Sequence, residues 1–341
     1  MKGKVLLTGI SGFIGSHTAI HLLENGYEVT GTLRSLDRAD AVKTMLARHT
    51  QHVDKLRFAQ AELTDETVWH DLMQGMDYVQ HIASPNPREV PQHEDELIVP
   101  AKNGVLHVLR AAAANGVKRV VLTSSTGALM YGRPKGRESG LYDETTWTDV
   151  TNRVDTTAYF RSKTLAEKAA WDFMAADTSE LELTAVLPGL VLGPVLEEDF
   201  GNSANAVLKL LDGSMPAVPD LGFALVDVRS IADLLRRAME QPAAAGQRFV
   251  GTAGFLTYAQ IAALLRTRFP GRNIPRRVLP NLLTRLLSWF DPAIRPVLLD
   301  LGQQRKCDNR KAKELLHWQP LTQEEAVIAC AQSILDLGLV K

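Results

Sequence analysis

The stretch VLLTGISGFIGSH, residues 5–17, decides the fold of this 341-residue chain. An apolar run that predicts a buried β-strand leads directly into Gly9, Gly12 and Gly15, spaced G-x-x-G-x-x-G. Glycine permits a tight turn and lets the backbone approach a pyrophosphate, whose charge is stabilised at the N-terminus of the following helix. We therefore expect a dinucleotide site at this strand-to-helix junction, with a purely structural glycine turn as the alternative.

Outward from this loop, short aliphatic runs alternate with helical patterns as far as the segment LELTAVLPGLVLG. Strands bounded by helices at this rhythm indicate a parallel sheet covered by helices on both faces. The sequence predicts an α/β fold with a Rossmann-type doubly wound parallel sheet over residues 1–190, to which residues 224–252 return. Residues 191–341 should form most of a smaller, mainly helical substrate-binding domain.

Composition narrows the function to small-molecule chemistry. The chain is 45% hydrophobic and 23% charged, and its formal net charge is -1, so neither a nucleic acid nor an anionic membrane is an expected partner. Cys307 and Cys330 are too few for a disulfide framework and fit a reducing, cytoplasmic location. No stretch approaches the ~20 apolar residues of a membrane span. The leucine-rich residues 279–290 are predicted to pack in a core or between domains. No metal is expected. The protein could be a monomer or a homodimer.

The end of the second strand bears on the type of dinucleotide. An NAD site carries an acidic side chain there for the ribose hydroxyls, whereas a 2'-phosphate requires a cation. Arg34 occupies this strand end and can bind a phosphate through two parallel hydrogen bonds, which favours NADP(H). Asp37 follows three residues later and keeps NAD as the alternative.

A tyrosine and a lysine stand four residues apart in AYFRSKTLAEKAAWDF, residues 158–173. Four residues are about one helical turn, so Tyr159 and Lys163 should share a helix face within reach of each other. Such a pair occurs often by chance, and the spacing alone does not distinguish a proton-delivery device from an ordinary amphipathic helix.

The motifs together resemble a known family. The glycine loop, TSS at 123–125 and YFRSKTLAEKAAW from Tyr159 resemble the extended short-chain dehydrogenase/reductases of the NAD-dependent epimerase/dehydratase superfamily. Within it, the chain is most similar to the dihydroflavonol 4-reductase-like group of carbonyl and aldehyde reductases. Further landmarks such as VKRVVLTSSTG, YDETTW and VLPGLVLGP extend the likeness over nearly the whole chain.

This resemblance implies an NADP(H)-dependent reductase that transfers hydride to the carbonyl of an aldehyde or ketone. Tyr159 would donate the proton, Lys163 would lower the pKa of the phenol, and Ser125 would orient the carbonyl, with Ser124 and Thr126 as neighbours of the same chemistry. The residues implied to contact the cofactor follow strand ends or open helices: Thr8, Gly9, Gly12, Phe13, Ile14, Gly15, Arg34, Glu62, Leu63, Ala83, Ser84, Tyr159, Lys163 and Pro188.

The substrate contacts implied are Ser125, Tyr159 and Met130. Plant dihydroflavonol reductases typically carry an asparagine at the position of Met130, and an apolar side chain cannot make the same hydrogen bond. We therefore expect an aromatic or aliphatic aldehyde or ketone rather than a dihydroflavonol, beneath a lid around Phe200 and Phe223.

Two other functions remain open. A nucleotide-sugar epimerase or dehydratase with bound NAD shares the fold and the Tyr/Lys pair. Dehydratases usually carry Asp-Glu after the TSS strand, where this chain has Thr126 and Gly127, and Arg34 argues against NAD. A non-catalytic dinucleotide sensor is the third possibility. His81, in the middle of a strand, is expected to be a core residue.

Overall fold

The computed structural model describes residues 2–85, 92–198, 203–290 and 297–340. Its main element is a seven-stranded, all-parallel sheet in the order β11-β7-β5-β4-β1-β2-β3. The strands of this sheet are β1 Lys4–Thr8, β2 Glu28–Leu33, β3 Leu56–Gln60, β4 Tyr78–His81, β5 Arg119–Thr123, β7 Glu182–Pro188 and β11 Arg248–Gly251. The strand order reverses beside β1, and in such sheets the crevice at the carboxyl ends of the strands at this point is the usual ligand site.

Helices cover both faces of this sheet, as the sequence predicts. They are α1 Phe13–Glu24, α2 Ala39–Ala47, α3 Thr67–Met73, α4 Asp95–Ala114, α5 Ala158–Ala176 and α7 Val228–Glu240. One face buries an apolar cluster with α1, α2 and α7, and the other buries a second cluster with α3, α4 and α5. The predicted doubly wound α/β fold is confirmed.

The remaining elements form short sheets and helices. The strands are β6 Gly140–Tyr142, β8 Leu190–Leu192, β9 Val218–Pro219, β10 Gly222–Asp227, β12 Gly254–Thr257, β13 Val278–Leu279 and β14 Arg305–Cys307. The helices are α6 Asn205–Leu211, α8 Tyr258–Arg268, α9 Asn281–Phe290, α10 Arg310–Leu316 and α11 Gln323–Asp336. A third apolar core joins α6, α8 and α11. Helix α10 packs instead on the main sheet through Ala312, Leu316 and the nearby Trp318.

Helix α9 differs from its prediction. Leu282 and Trp289 are 72% and 75% exposed, whereas Thr284 and Ser288 are buried. These two small side chains, one turn apart, allow the helix to approach its neighbours, so its leucine stripe turns outward. The prediction that these leucines pack in a core is wrong. Within the described ranges, no helix has both the length and the apolar character needed to cross a membrane.

Candidate active site

The glycine loop forms a cradle between β1 and α1. Gly9 has φ 72°, a backbone conformation that favours glycine. A Cβ atom on Gly15 would lie 2.1 Å from the Gly9 carbonyl oxygen, so α1 can begin this close to the loop only without a side chain there. The first turn of α1 contains no acidic residue, and its N–H groups are available to an anion. The loop therefore has the geometry of a pyrophosphate site.

Two arginines lie at the carboxyl end of β2. Arg34 and Arg38 both line the main cavity, and Arg38 Nη2 lies 3.3 Å from Glu197 Oε1. The Asp37 carboxylate instead accepts a hydrogen bond from the Ser35 hydroxyl, 2.8 Å away, and does not line the cavity. Cationic groups, rather than the acid of the NAD alternative, therefore face the cavity at this strand end.

The carboxyl end of β5 and the start of α5 bring Ser125, Tyr159 and Lys163 to one wall. Ser125 begins a short 3-10 turn, and its Oγ accepts a hydrogen bond of 3.0 Å from the Gly127 N–H. Tyr159 lies in the first turn of α5, which is capped by the side chain of Thr157. Lys163 follows one turn later, 9% exposed, and its Nζ lies 3.4 Å from the Thr123 carbonyl oxygen. The predicted pair does share one face.

Burial governs the titration of this wall. It lowers the pKa of Lys163 to about 8, a change opposed by the negative charge of Glu167. It also raises the pKa of Tyr159, which a hydrogen bond from Ser125 partly offsets. Among the protein's own groups, desolvation therefore dominates and favours the neutral phenol. The lowering of the phenol pKa by Lys163 together with the positive charge of an oxidised nicotinamide stays a prediction.

One cavity of about 880 Å³ connects these three regions. The predicted residues that line it come from the loop, the strand ends and α5: Gly9, Gly12, Phe13, Ile14, Gly15, Arg34, Glu62, Leu63, Ala83, Ser84, Ser125, Tyr159, Lys163 and Pro188. Of the neighbours of Ser125, Thr126 does not line it, and the Ser124 hydroxyl donates to Glu167 at 2.6 Å. Of the three candidates Ser124, Ser125 and Thr126, Ser125 is therefore the one whose hydroxyl remains to face Tyr159.

Thr8 lies behind the cavity rather than in its wall. It is fully buried, and its Oγ1 accepts hydrogen bonds of 3.0 Å from the N–H groups of both Ile82 and Ala83. Its hydroxyl then donates a hydrogen bond to His81 Nδ1, 3.1 Å away. The structure thus places Thr8 as a link between β1 and β4, and His81, 2% exposed, is the expected core residue.

Met130 is also outside the cavity. It is 9% exposed and packs among Leu129, Tyr131 and Tyr142. Cys307 of β14 covers it, with the two sulfur atoms 3.8 Å apart. Met130 therefore does not line the cavity in which the sequence predicts its substrate contact, because β14 lies over this position. Phe223 packs edge-on against Tyr258 and does not line the cavity, and Phe200 lies outside the described residues.

Some lining residues have no signal in the sequence. Leu97 and Pro100 of α4 contribute to the wall, in addition to Gly189 and Val191 of the apolar stretch LPGLVLG that the sequence predicts to face the pocket. Leu97 and Pro100 are not predicted. They carry no reactive groups and reach the cavity through tertiary packing, so no local motif indicates them.

Residues 5–250 match the model of the NAD dependent epimerase/dehydratase family. Dihydroflavonol 4-reductase of Zea mays is 37% identical over 283 residues, which cover 81% of this chain and 77% of the relative. A cinnamoyl-CoA reductase of Medicago truncatula is 34% identical over 277 residues, which cover 80% of this chain and 83% of the relative.

A solved structure extends the similarity over the whole chain. Yeast methylglyoxal/isovaleraldehyde reductase Gre2, crystallised with NADPH, superimposes with a TM-score of 0.82 at 27% identity. The alignment covers 98% of this chain and 99% of the yeast protein.

Proposed function

The chain belongs to the NAD dependent epimerase/dehydratase family, as its motifs indicated, and from this membership we propose that it reduces the carbonyl group of an aldehyde or ketone with NADPH. One observation carries the proposal: a single cavity of about 880 Å³ has Arg34 and Arg38 at one end, the glycine loop in its wall, and Ser125, Tyr159 and Lys163 at the other. The relatives named above as reductases support the same reaction class.

The residues fit a phosphorylated dinucleotide. Gly12 begins α1 without a side chain, so the backbone there can approach a pyrophosphate, and the N–H groups of α1 would bind it. Arg34 and Arg38 would bind the 2'-phosphate, with Arg38 leaving Glu197 to do so. When bound, the cofactor supplies a hydride to the carbonyl carbon.

The chain's own residues then complete the reduction. Ser125 donates a hydrogen bond to the carbonyl oxygen and stabilises the negative charge that develops there. Tyr159 gives its phenolic proton to that oxygen, so carbonyl, hydride and proton together become the alcohol. The positive charge of Lys163 stabilises the resulting phenolate until a proton from solvent restores it.

A nucleotide-sugar dehydratase requires acid and base groups that the strand end does not offer, whereas an epimerase with bound NAD is disfavoured by Arg34. Thr126 is buried and does not line the cavity, and Gly127 has no side chain. A dehydratase would need a carboxylate pair at this point to eliminate water.

The test is the loss of NADPH absorbance with a panel of carbonyl compounds. We expect aromatic or branched aliphatic aldehydes and ketones to be reduced with a higher kcat/KM than glyceraldehyde or dihydroquercetin, because Pro188 and Val191 offer apolar surface. Tyr159→Phe keeps the ring packing and should lower kcat by about a hundredfold or more. A Tyr159→Phe enzyme with normal kcat would overturn the assignment of the proton donor.

A further inference from the structure

Glu167 is a buried carboxylate to which the reaction above gives no role. It lies one turn beyond Lys163 on α5 and is 1% exposed. Its Oε1 accepts from Arg248 Nε at 2.6 Å and Trp171 Nε1 at 3.2 Å, and its Oε2 accepts from the Ser124 hydroxyl at 2.6 Å. A buried charge is costly unless it is paired and hydrogen-bonded, and Glu167 has both kinds of partner.

One of these partners connects Glu167 to the reactive wall. Ser124 stands between Thr123, whose carbonyl faces Lys163, and Ser125, which faces the cavity. By holding the Ser124 hydroxyl, Glu167 fixes the backbone that presents Ser125.

A small cavity lies behind the wall between α5 and the ends of β4 and β5. It measures about 10 Å³, enough for roughly one water molecule, and both Lys163 and Glu167 line it. Thr123 Oγ1, also in its lining, has no hydrogen-bond partner among the described residues. Lys163 and Glu167 thus line the same small space, and the negative charge of Glu167 acts on Lys163 there.

The charges around Lys163 come from three elements. Tyr159 and Glu167 lie on its own helix, and His81 faces it from β4. Burial lowers the pKa of His81 to about 3, so this group is neutral at the pH of any assay. Arg248 of β11 pairs with Glu167, and α4 presents only apolar side chains to the small cavity. Within the described structure, Glu167 is therefore the carboxylate beside Lys163 in this lining.

We propose that Glu167 is a positioning residue of carbonyl reduction: it fixes Ser124, and with it Ser125, and it places a negative charge beside Lys163. This inference rests on the proposed function of the same site. It also gives a reason for a buried ion pair beneath the reactive wall, where an apolar pair would have been less costly.

The pH dependence of kcat for aldehyde reduction tests the charge. Glu167→Gln keeps the size of the side chain and an acceptor for Ser124 but removes the negative charge, which lowers the pKa of both Lys163 and Tyr159. Protonated Lys163 and the neutral phenol are then both lost at lower pH. The alkaline limb of the profile should therefore move to lower pH by about half a unit or more. Glu167→Asp, which retains the charge, should restore the limb.

Matched variants separate charge from packing. Trp171→Phe removes one donor to the same carboxylate and leaves its charge, so the alkaline limb should not move. Ser124→Ala should lower kcat several-fold at every pH without moving the limb. If Glu167→Gln does not fold, Glu167→Gln combined with Arg248→Met removes the ion pair as a unit, and the limb should again move to lower pH.

Two results would overturn the inference. One is an unshifted alkaline limb in the folded Glu167→Gln or double variant, and the other is an equal shift in Trp171→Phe. Both differ from failure of the proposed function, in which the unmodified protein itself would reduce no carbonyl.

Discussion

At the scale of single residues, Arg34 sets the expected cofactor preference. Arg34 directly follows β2, and its exposed side chain lines the cavity. A charge-assisted hydrogen bond to a 2'-phosphate is worth about 1.5–3 kcal/mol. We predict a higher kcat/KM with NADPH than with NADH, and a much smaller ratio for Arg34→Glu. Steady-state kinetics with both cofactors measure this. Equal efficiency of the unmodified protein with NADPH and NADH would contradict it.

Met130 provides a second residue-scale prediction. Because it is buried beneath Cys307 rather than in the cavity, Met130→Asn should not change the order of substrate preference. The substitution should lower the free energy of unfolding by about 1–3 kcal/mol, since an amide would be buried without hydrogen-bond partners. Denaturant unfolding and the carbonyl panel together check both parts. A variant that newly favours dihydroquercetin would show that this position does face the substrate.

Residue positions were predictable where local spacing decides them. Tyr159 and Lys163 share a face because four residues make one helical turn, and Gly15 is required by the contact of α1 with its own loop. The sequence predicts that Thr8 and Met130 contact the ligands, but neither residue lines the cavity. Their surroundings come from distant segments, β4 for Thr8 and β14 for Met130. No pattern near either residue reports such contacts.

At the scale of elements, Arg119 joins the late helix α7 to the central sheet. It is 1% exposed at the start of β5, pairs with Glu182, and donates hydrogen bonds to the carbonyls of Ala238, Met239 and Gln241 at the end of α7. These carbonyls have no partners within the helix. Arg119 therefore caps α7 from the amino end of β5, which is the end of the sheet opposite the active site.

Arg119→Met should lower the free energy of unfolding by about 3–5 kcal/mol, because it leaves Glu182 and the carbonyls of Ala238 and Met239 without their donor. Since Ser125 lies at the other end of β5, kcat of the folded variant should stay near that of the unmodified protein. Lys118→Met, at the exposed neighbouring position, is the matched control and should change stability by less than about 0.5 kcal/mol. An Arg119→Met protein of unchanged stability would refute this role.

The elements of the first half follow from the sequence because aliphatic strands and helices alternate there with clear periods. The later strands do not, because β9 and β13 have two residues each and β14 has three, which is too short for a period. Helix α9 was recognised by its leucine spacing, but spacing cannot show which side packs. There the small polar side chains turn inward.

At the scale of the whole molecule, the C-terminal part of the chain returns to the active-site half. Arg305 of β14 is 3% exposed, donates to the Met130 carbonyl at 2.7 Å, and pairs with Asp155, which precedes α5. Its guanidinium also lies over the Tyr131 ring, which stacks on Phe160 beside Tyr159. The start of the helix that carries Tyr159 is thus fixed by a segment about 150 residues later, a connection that no sequence period encodes.

The central claim is that this one cavity delivers hydride from NADPH to a carbonyl carbon, and isotope transfer tests it most directly. NADPH carrying two deuterium atoms at the nicotinamide C4 is incubated with the protein and an aromatic aldehyde, and the product is analysed by mass spectrometry and NMR. We predict an alcohol with one deuterium on the former carbonyl carbon, formed in equal amount to the NADPH consumed. Unchanged aldehyde, or an alcohol without deuterium on that carbon, would contradict the account.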